Sequence, residues 1–352
     1  MRLLGKIREF FRSAGKNFTI ELAMDLGTAN TLIYLKGKGI IVNEPSVIAI
    51  DITTNQTIAL GRQARDFLGR TPPHIRAERP LKDGVIADFD AAMAMIKGFL
   101  GMVFKPRFWL NPLLVIGVPS GITQVEKRAV KDSAYEAGAR HIHLIEEPMA
   151  AAVGAGLDVE RPLGNMVVDI GGGTTEVAII SLCATSYCES IRVAGDEMDE
   201  AILRYLQRNM HLEITLAQAE EIKIRIGCAS AEESPDLGMM VTGKELGRGG
   251  PRTVELTSAH ISEALEEPVD AILDTIRRAL ENAPPALLSD VKERGLVLTG
   301  GGALLSGLDR LIYRMTGVPA FIADDPLATV VTGCGMAIEN PERWRRIFIS
   351  SS

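Results

Sequence analysis

Apolar and polar positions along this chain follow two periods, and the changes between them mark its elements. Near the start, Phe18, Ile20, Leu22, Ala23 and Met24 lead into Asp25-Leu26-Gly27-Thr28-Ala29-Asn30-Thr31, and Leu32, Ile33, Tyr34 and Leu35 follow. Farther along, Met166, Val167 and Val168 lead into Asp169-Ile170-Gly171-Gly172-Gly173-Thr174-Thr175, and Val177, Ala178, Ile179 and Ile180 follow. Each unit reads as strand, glycine turn, strand: a β-hairpin. Further strands are predicted at 40–42, 46–50, 113–118, 191–193 and 295–299. Helical spacing predicts helices at 62–68, 88–98, 123–138, 197–210, 216–226, 258–282 and 304–316. The helix at 123 opens with Thr123 and Glu126, the spacing of a capping box. Residues 71–83, with Pro72, Pro73 and Pro80, read as a loop, and the polar, glycine-rich stretch 229–252 as a small peripheral subdomain. Strands alternating with helices imply α/β layers.

Residues 1–16 follow a different pattern. Leu3, Leu4, Ile7, Phe10 and Phe11 share one helical face, and Arg2, Lys6, Arg8, Arg12 and Lys16 stand against a single acid, Glu9. A basic amphipathic helix on an acidic chain predicts a membrane-surface anchor. The alternative is a helix packed on the protein's own core.

Composition narrows the class. With 352 residues, 46% hydrophobic and 24% charged, the chain has enough material for two domains with real cores. A net charge of −7 argues against a general nucleic-acid binder. Cys183, Cys188, Cys228 and Cys334 form no CxxC pair and no cluster with histidine, so they read as thiols in a reducing cytoplasm. Charges interrupt the N-terminal apolar residues, which argues against a signal peptide. The uncharged run 108–125 is broken by Pro112, Gly117, Pro119 and Gly121 and reads as a buried strand and turn, not a membrane span.

The duplicated hairpins carry the chemistry. Glycines let backbone N–H groups approach a phosphate, and hydroxyls add donors. The leading carboxylates, Asp25 and Asp169, are placed to hold a metal or its waters. A lone DxGT is a common tight turn, and a lone triple glycine can be a flexible loop. The same pattern flanked by strands twice, with the aspartates 144 residues apart, points instead to two related half-domains closing on one nucleotide. Neither a P-loop nor a G-x-G-x-x-G site competes. Between the hairpins, 144–152 reads as a small-residue helix joining the halves. Gly300-Gly301-Gly302-Ala303 offers another close approach, suited to a nucleoside or to a simple strand-to-helix turn.

Together these segments resemble the actin, sugar-kinase and heat-shock-chaperone ATPase superfamily, with 327–337 as the second connecting helix. Asp25 to Leu32, Asn43 to Val47, Ile145 to Ala152 and Leu298 to Leu305 are most similar, within it, to the MreB family of bacterial actins, over roughly residues 18–340. The resemblance implies a duplicated actin-like fold of two lobes, each a mixed sheet flanked by helices. Lobe I would comprise 17–160 and 331–352 with a subdomain at about 43–82. Lobe II would comprise 161–330 with a subdomain at about 197–254. It implies ATP or ADP with Mg²⁺ as ligands and slow ATP hydrolysis coupled to polymerisation. Gly27, Thr28, Ala29 and Asn30 would hold phosphates, with Gly171, Gly172 and Gly173 opposite. Asp25 and Asp169 would place Mg²⁺ through water. Glu147, rather than Glu146, would orient the attacking water, and Thr174 would help polarise it. Gly195, Glu220, Glu221 and Lys223 would approach the ribose and base, and Gly300, Gly301, Gly302 and Ala303 the adenosine.

The resemblance also implies partners: copies of the chain in a filament, anionic lipid on the inner face of the cell membrane, and the cell-wall elongation machinery, with no nucleic acid. The loop 103–112 departs from the family in being longer and more aromatic. Phe108 and Trp109 beside Lys105 and Arg107 suit either a bilayer interface or packing against the tail 343–348. A small-molecule kinase of the superfamily would want a catalytic aspartate and a larger substrate pocket. A chaperone-type ATPase would want a peptide-binding region after residue 340. Both are weaker expectations than a membrane-associated filament that maintains rod shape.

Overall fold

The computed structural model describes residues 20–104, 112–233, 235–247 and 249–349. Two five-stranded sheets carry the architecture. Their strands, numbered here in chain order, are β1 (Glu21–Leu26), β2 (Asn30–Leu35), β3 (Gly39–Pro45), β4 (Leu113–Val118), β5 (His141–Glu146), β6 (Asn165–Ile170), β7 (Thr175–Ser181), β8 (Ala184–Ile191), β9 (Leu296–Thr299) and β10 (Ala320–Ile322). The first sheet runs β3-β2-β1-β4-β5 and the second β8-β7-β6-β9-β10. The topology is the same in both: three antiparallel strands, then two parallel ones. Register repeats as well. Asp25 pairs with Leu32 and Gly117, while Asp169 pairs with Glu176 and Thr299.

Parallel strands require crossover connections, and helices supply them. Phe89–Val103 precedes β4 and Gln124–Glu136 joins β4 to β5, opened by the Thr123–Glu126 capping box. In the second half, Gly195–Met210, Leu216–Ile226, Ser258–Asn282 and Pro285–Arg294 fill the span between β8 and β9. Helices on both faces leave every residue of β7 buried, so its apolar run shows no alternation.

The helices Glu147–Gly154 and Thr329–Glu339 lie between the sheets. A Cβ on Gly333 would collide with the Ala150 carbonyl, and one on Gly154 with the Thr329 carbonyl, so glycine sets how closely they pack. Their core joins Ala23, Val115 and Ile145 of the first sheet to Val167, Ala178 and Ile180 of the second. Trp344 and Ile347 are buried in the same core, and Ile349 N–H donates to the Leu144 carbonyl at 2.8 Å.

Several expectations are corrected. Residues 144–146 finish β5, and the helix starts only at Glu147, with Pro148 in its first turn. The loop 71–83 contains the strand Ile75–Glu78, paired with Ile48–Asp51. The polar stretch 229–252 holds strand Gly238–Glu245, which pairs with Pro251–Thr257. Of the strand expected at 191–193 only Ile191 is in a strand, as the last residue of β8. Helix 304–316 divides into a 3-10 turn, Gly301–Leu304, and a helix, Leu308–Thr316. Helix 62–68 stops at Arg65. The anchor helix 1–16, with Leu3, Leu4, Ile7, Phe10 and Phe11, lies outside the described residues, as do Phe108 and Trp109. Among the described residues no helix is long and apolar enough to cross a membrane.

Candidate active site

The two hairpins converge on a cleft of about 500 Å³. Asp25, Gly27, Thr28, Ala29 and Asn30 line it from one side and Asp169, Gly171, Gly172, Gly173 and Thr174 from the other, with Glu147 between them. Gly195, Glu220, Lys223, Gly300, Gly301 and Gly302 line it farther out, beside Ile224, Leu237 and Leu304.

Each hairpin turn is braced by the chain that leaves its third strand. After β3, Ser46 donates its hydroxyl to the Gly27 carbonyl at 2.6 Å and its N–H to the Ala29 carbonyl at 2.9 Å. After β8, Gly195 N–H donates to the Gly171 carbonyl at 3.1 Å and Asp196 N–H to the Gly172 carbonyl at 2.7 Å. The Thr175 hydroxyl adds a bond to the Val193 carbonyl at 2.7 Å. These bonds occupy turn carbonyls, and the Gly171 N–H closes its own turn on the Thr174 carbonyl at 2.9 Å.

The tips also meet each other. A Cβ on Gly173 would stand 2.9 Å from the Asp83 backbone and 3.0 Å from Thr28 Oγ1. Gly84, at φ +74°, donates its N–H to the Thr28 hydroxyl at 3.3 Å, and a Cβ there would lie 2.7 Å from Thr174 Cγ2. Arg79 Nη1 reaches from the first half to Asp196 Oδ1, which lines the cleft, and forms an ion pair with it at 2.9 Å.

The electrostatics are those of crowded carboxylates. Burial raises Asp25 to about 7. Burial, then the charges of Glu176 and Asp25, raise Asp169 to about 8. Burial, then Glu176, Asp25 and Asp169, push Glu147 well above the usual carboxylate range. Among the described residues no ion pair relieves these three. A cation entering with an anionic ligand would do so. Those residues also include no group of three or more His, Cys, Asp or Glu that holds a metal alone. The donor set therefore fits Mg²⁺ only where nucleotide oxygens and water complete its octahedron.

Not every other site candidate is free to face the cleft. Lys223 turns to the Gly195 carbonyl at 2.7 Å and to Asp199 at 2.8 Å, and burial still lifts Asp199 to about 6. Glu221 pairs with Arg225 at 2.8 Å and does not line the cleft. Ala303 is fully buried rather than on the cleft surface. Glu146 accepts from the Thr185 hydroxyl at 3.2 Å and does not line the cleft, whereas Glu147 does.

Sequence reasoning missed Glu176. It is 1% exposed, directly across the ladder from Asp169. A carboxylate two residues after the glycine turn, inside an apolar strand, was a signal. Its partner Ser120 offered none, because the two are joined only by folding.

The model of the MreB/Mbl protein family matches residues 19–346. The chain belongs to that family. It is 51% identical over 328 residues to the cell shape-determining protein MreB of Escherichia coli, covering 92% of this chain and 94% of that one. It is 43% identical to the cell shape-determining protein Mbl of Bacillus subtilis, over 93% and 98% of the two chains. MreB5 of Spiroplasma citri bound to AMPPNP superposes with a TM-score of 0.87 at 36% identity, covering 92% and 97%. A MamK double helical filament, at 19% identity and a TM-score of 0.77, shares the fold. The MreB/Mbl chain described here is thus an actin-like protein of the bacterial cytoskeleton and determines cell shape.

Proposed function

We propose that this MreB/Mbl protein hydrolyses ATP slowly as it assembles into filaments on the inner membrane surface, where they organise cell-wall synthesis. The observation that carries the hydrolysis is the placement of Glu147 between two braced glycine hairpins. Relatives named for cell shape, and one solved with AMPPNP, support the rest. Neither a small-molecule kinase nor a chaperone-type ATPase is favoured by that kinship.

Phosphoryl transfer to water needs mainly positioning and charge stabilisation. The turns 27–30 and 171–173 would cradle the phosphates from two sides. Glu147 would orient the attacking water, and Thr174 would help polarise it. Mg²⁺, held through water by Asp25 and Asp169, would supply charge neutralisation at the phosphates. Gly195, Glu220, Lys223 and Gly300 to Gly302 would border the nucleoside. In this reading the lobes are 17–160 with 331–352, and 161–330.

The membrane part rests on residues 2–16 and the aromatic loop. One short helix binds weakly, so a filament presenting many copies would hold by avidity.

Glu147→Ala tests the reading. The variant should bind ATP and pellet with it at high speed while phosphate release falls about 10²-fold or more. Release at the wild-type rate would remove Glu147 from the mechanism, and failure of the wild type to pellet would remove the filament.

A further inference from the structure

Glu176 Oε1 accepts two hydrogen bonds from Ser120, one from its hydroxyl at 2.6 Å and one from its N–H at 3.0 Å. The two residues belong to different halves. Ser120 follows β4 of the first sheet, and Glu176 lies in β7 of the second. The Ser120 hydroxyl spends its single proton on Glu176, so the Cys188 thiol, 3.0 Å away, donates to Ser120. Burial pushes that thiol up to about 12 and keeps its proton in place. A second cross-sheet bond, from Thr185 to Glu146, lies next to Glu147 in the chain.

The tie bears on the site through β4. A Cβ on Gly117, three residues before Ser120, would lie 3.6 Å from Glu147 Cγ. The end of β4 therefore packs against Glu147 and is bonded to β7. Glu176 also sits two residues beyond Thr174 at the second hairpin tip.

We propose that Glu176 is a positioning residue: by clamping the Ser120 turn to β7, it fixes Glu147 relative to the hairpin Gly171–Thr174. This rests on the reading that Glu147 orients the attacking water. The clamp satisfies one oxygen, Oε1, of a carboxylate in a fully buried strand, where burial without hydrogen bonds costs stability. Its geometry sets the distance between a group of the first half and the phosphate-binding turn of the second. Displacement by a fraction of an ångström slows hydrolysis without loosening nucleotide.

Steady-state hydrolysis and nucleotide affinity of the full chain test this. Glu176→Ala should lower kcat roughly ten- to hundred-fold with ATP affinity within about twofold of wild type. Glu176→Gln keeps an oxygen acceptor for Ser120 and should restore most of kcat. Should Glu176→Ala fold poorly, Ser120→Ala serves instead: loss of one of two bonds should cost about threefold in kcat, and Ser120→Thr should recover it. Unchanged kcat in Glu176→Ala, or equal loss in Glu176→Ala and Glu176→Gln, overturns the clamp. So does equal loss in Ser120→Ala and Ser120→Thr. Glu147→Ala measured alongside separates the two ideas. If it hydrolyses normally, the role of Glu147 fails. If it is inactive while Glu176→Ala is unaffected, only the clamp fails.

Discussion

Gly172 of the second hairpin lies so close to Ala29 of the first that a Cβ on it would stand 2.8 Å from the Ala29 methyl carbon and 3.1 Å from its backbone nitrogen. The halves thus close on each other at the point where phosphates would sit, and the absent side chain permits it. Gly172→Ala should hold the tips apart and weaken ATP binding about tenfold or more, because correct placement of both turns is lost. Fluorescent-nucleotide titration reads this, and wild-type affinity would show that the tips are not a joint phosphate cradle.

Arg79 joins the first half to Asp196 on the lining of the same cleft at 2.9 Å, each side chain about a third exposed. Exposed pairs are worth at most about 1 kcal/mol, and salt screens them. Arg79→Ala should therefore speed nucleotide release by about two- to fivefold at low salt, with the difference shrinking at high salt. Stopped-flow release that is insensitive to both the substitution and salt would rule out a latch.

The crowded carboxylates make stability depend on pH in a set direction. Asp169 is raised from 3.8 to about 8 in the folded chain, so between those values the folded state holds more protons than the unfolded one. Stability of the nucleotide-free protein should fall as pH rises through that window. Asp169→Asn removes the buried charge and should raise the melting temperature at pH 8 relative to wild type, by about 2–4 °C per kcal/mol relieved. Near pH 4 the two proteins should melt alike apart from a constant offset. A gain equal at both pH values would mean that Asp169 is not the group responsible. The same substitution should abolish Mg²⁺-dependent hydrolysis, a loss that chelation by EDTA should reproduce in the wild type.

Deleting residues 2–12 should release most of the protein from anionic liposomes while leaving ATP-dependent pelleting intact. Basic residues near such a surface contribute about 1 kcal/mol each. Phe108→Ser with Trp109→Ser should weaken flotation further if that loop faces lipid. Flotation of the truncated chain equal to that of the full chain would assign the helix to the protein's own core instead.

Local signals settled much in advance. Each hairpin was legible because turn chemistry is local: glycines, a leading aspartate and flanking apolar strands lie within a dozen residues. The helices Leu216–Ile226 and Ser258–Asn282 matched their sequence bounds because a 3.6-residue period and Thr caps specify them. β10 and the strand Ile75–Glu78 did not announce themselves. They are three and four residues long, and pairing with a neighbouring strand, rather than their own pattern, makes them strands. Tertiary structure alone decided the approach of Gly172 to Ala29, the Arg79–Asp196 latch and the Ser120–Glu176 bond, each joining distant parts of the chain. It also decided that Lys223 faces Asp199 on another helix, whereas its helix neighbour Glu221 meets Arg225 through local i,i+4 spacing. The sequence set which groups exist and their local geometry. Which carboxylates are stripped of water and share one cleft depended on two sheets packing around a pair of helices, since only burial and proximity across that fold turn ordinary acids into a cation-seeking site.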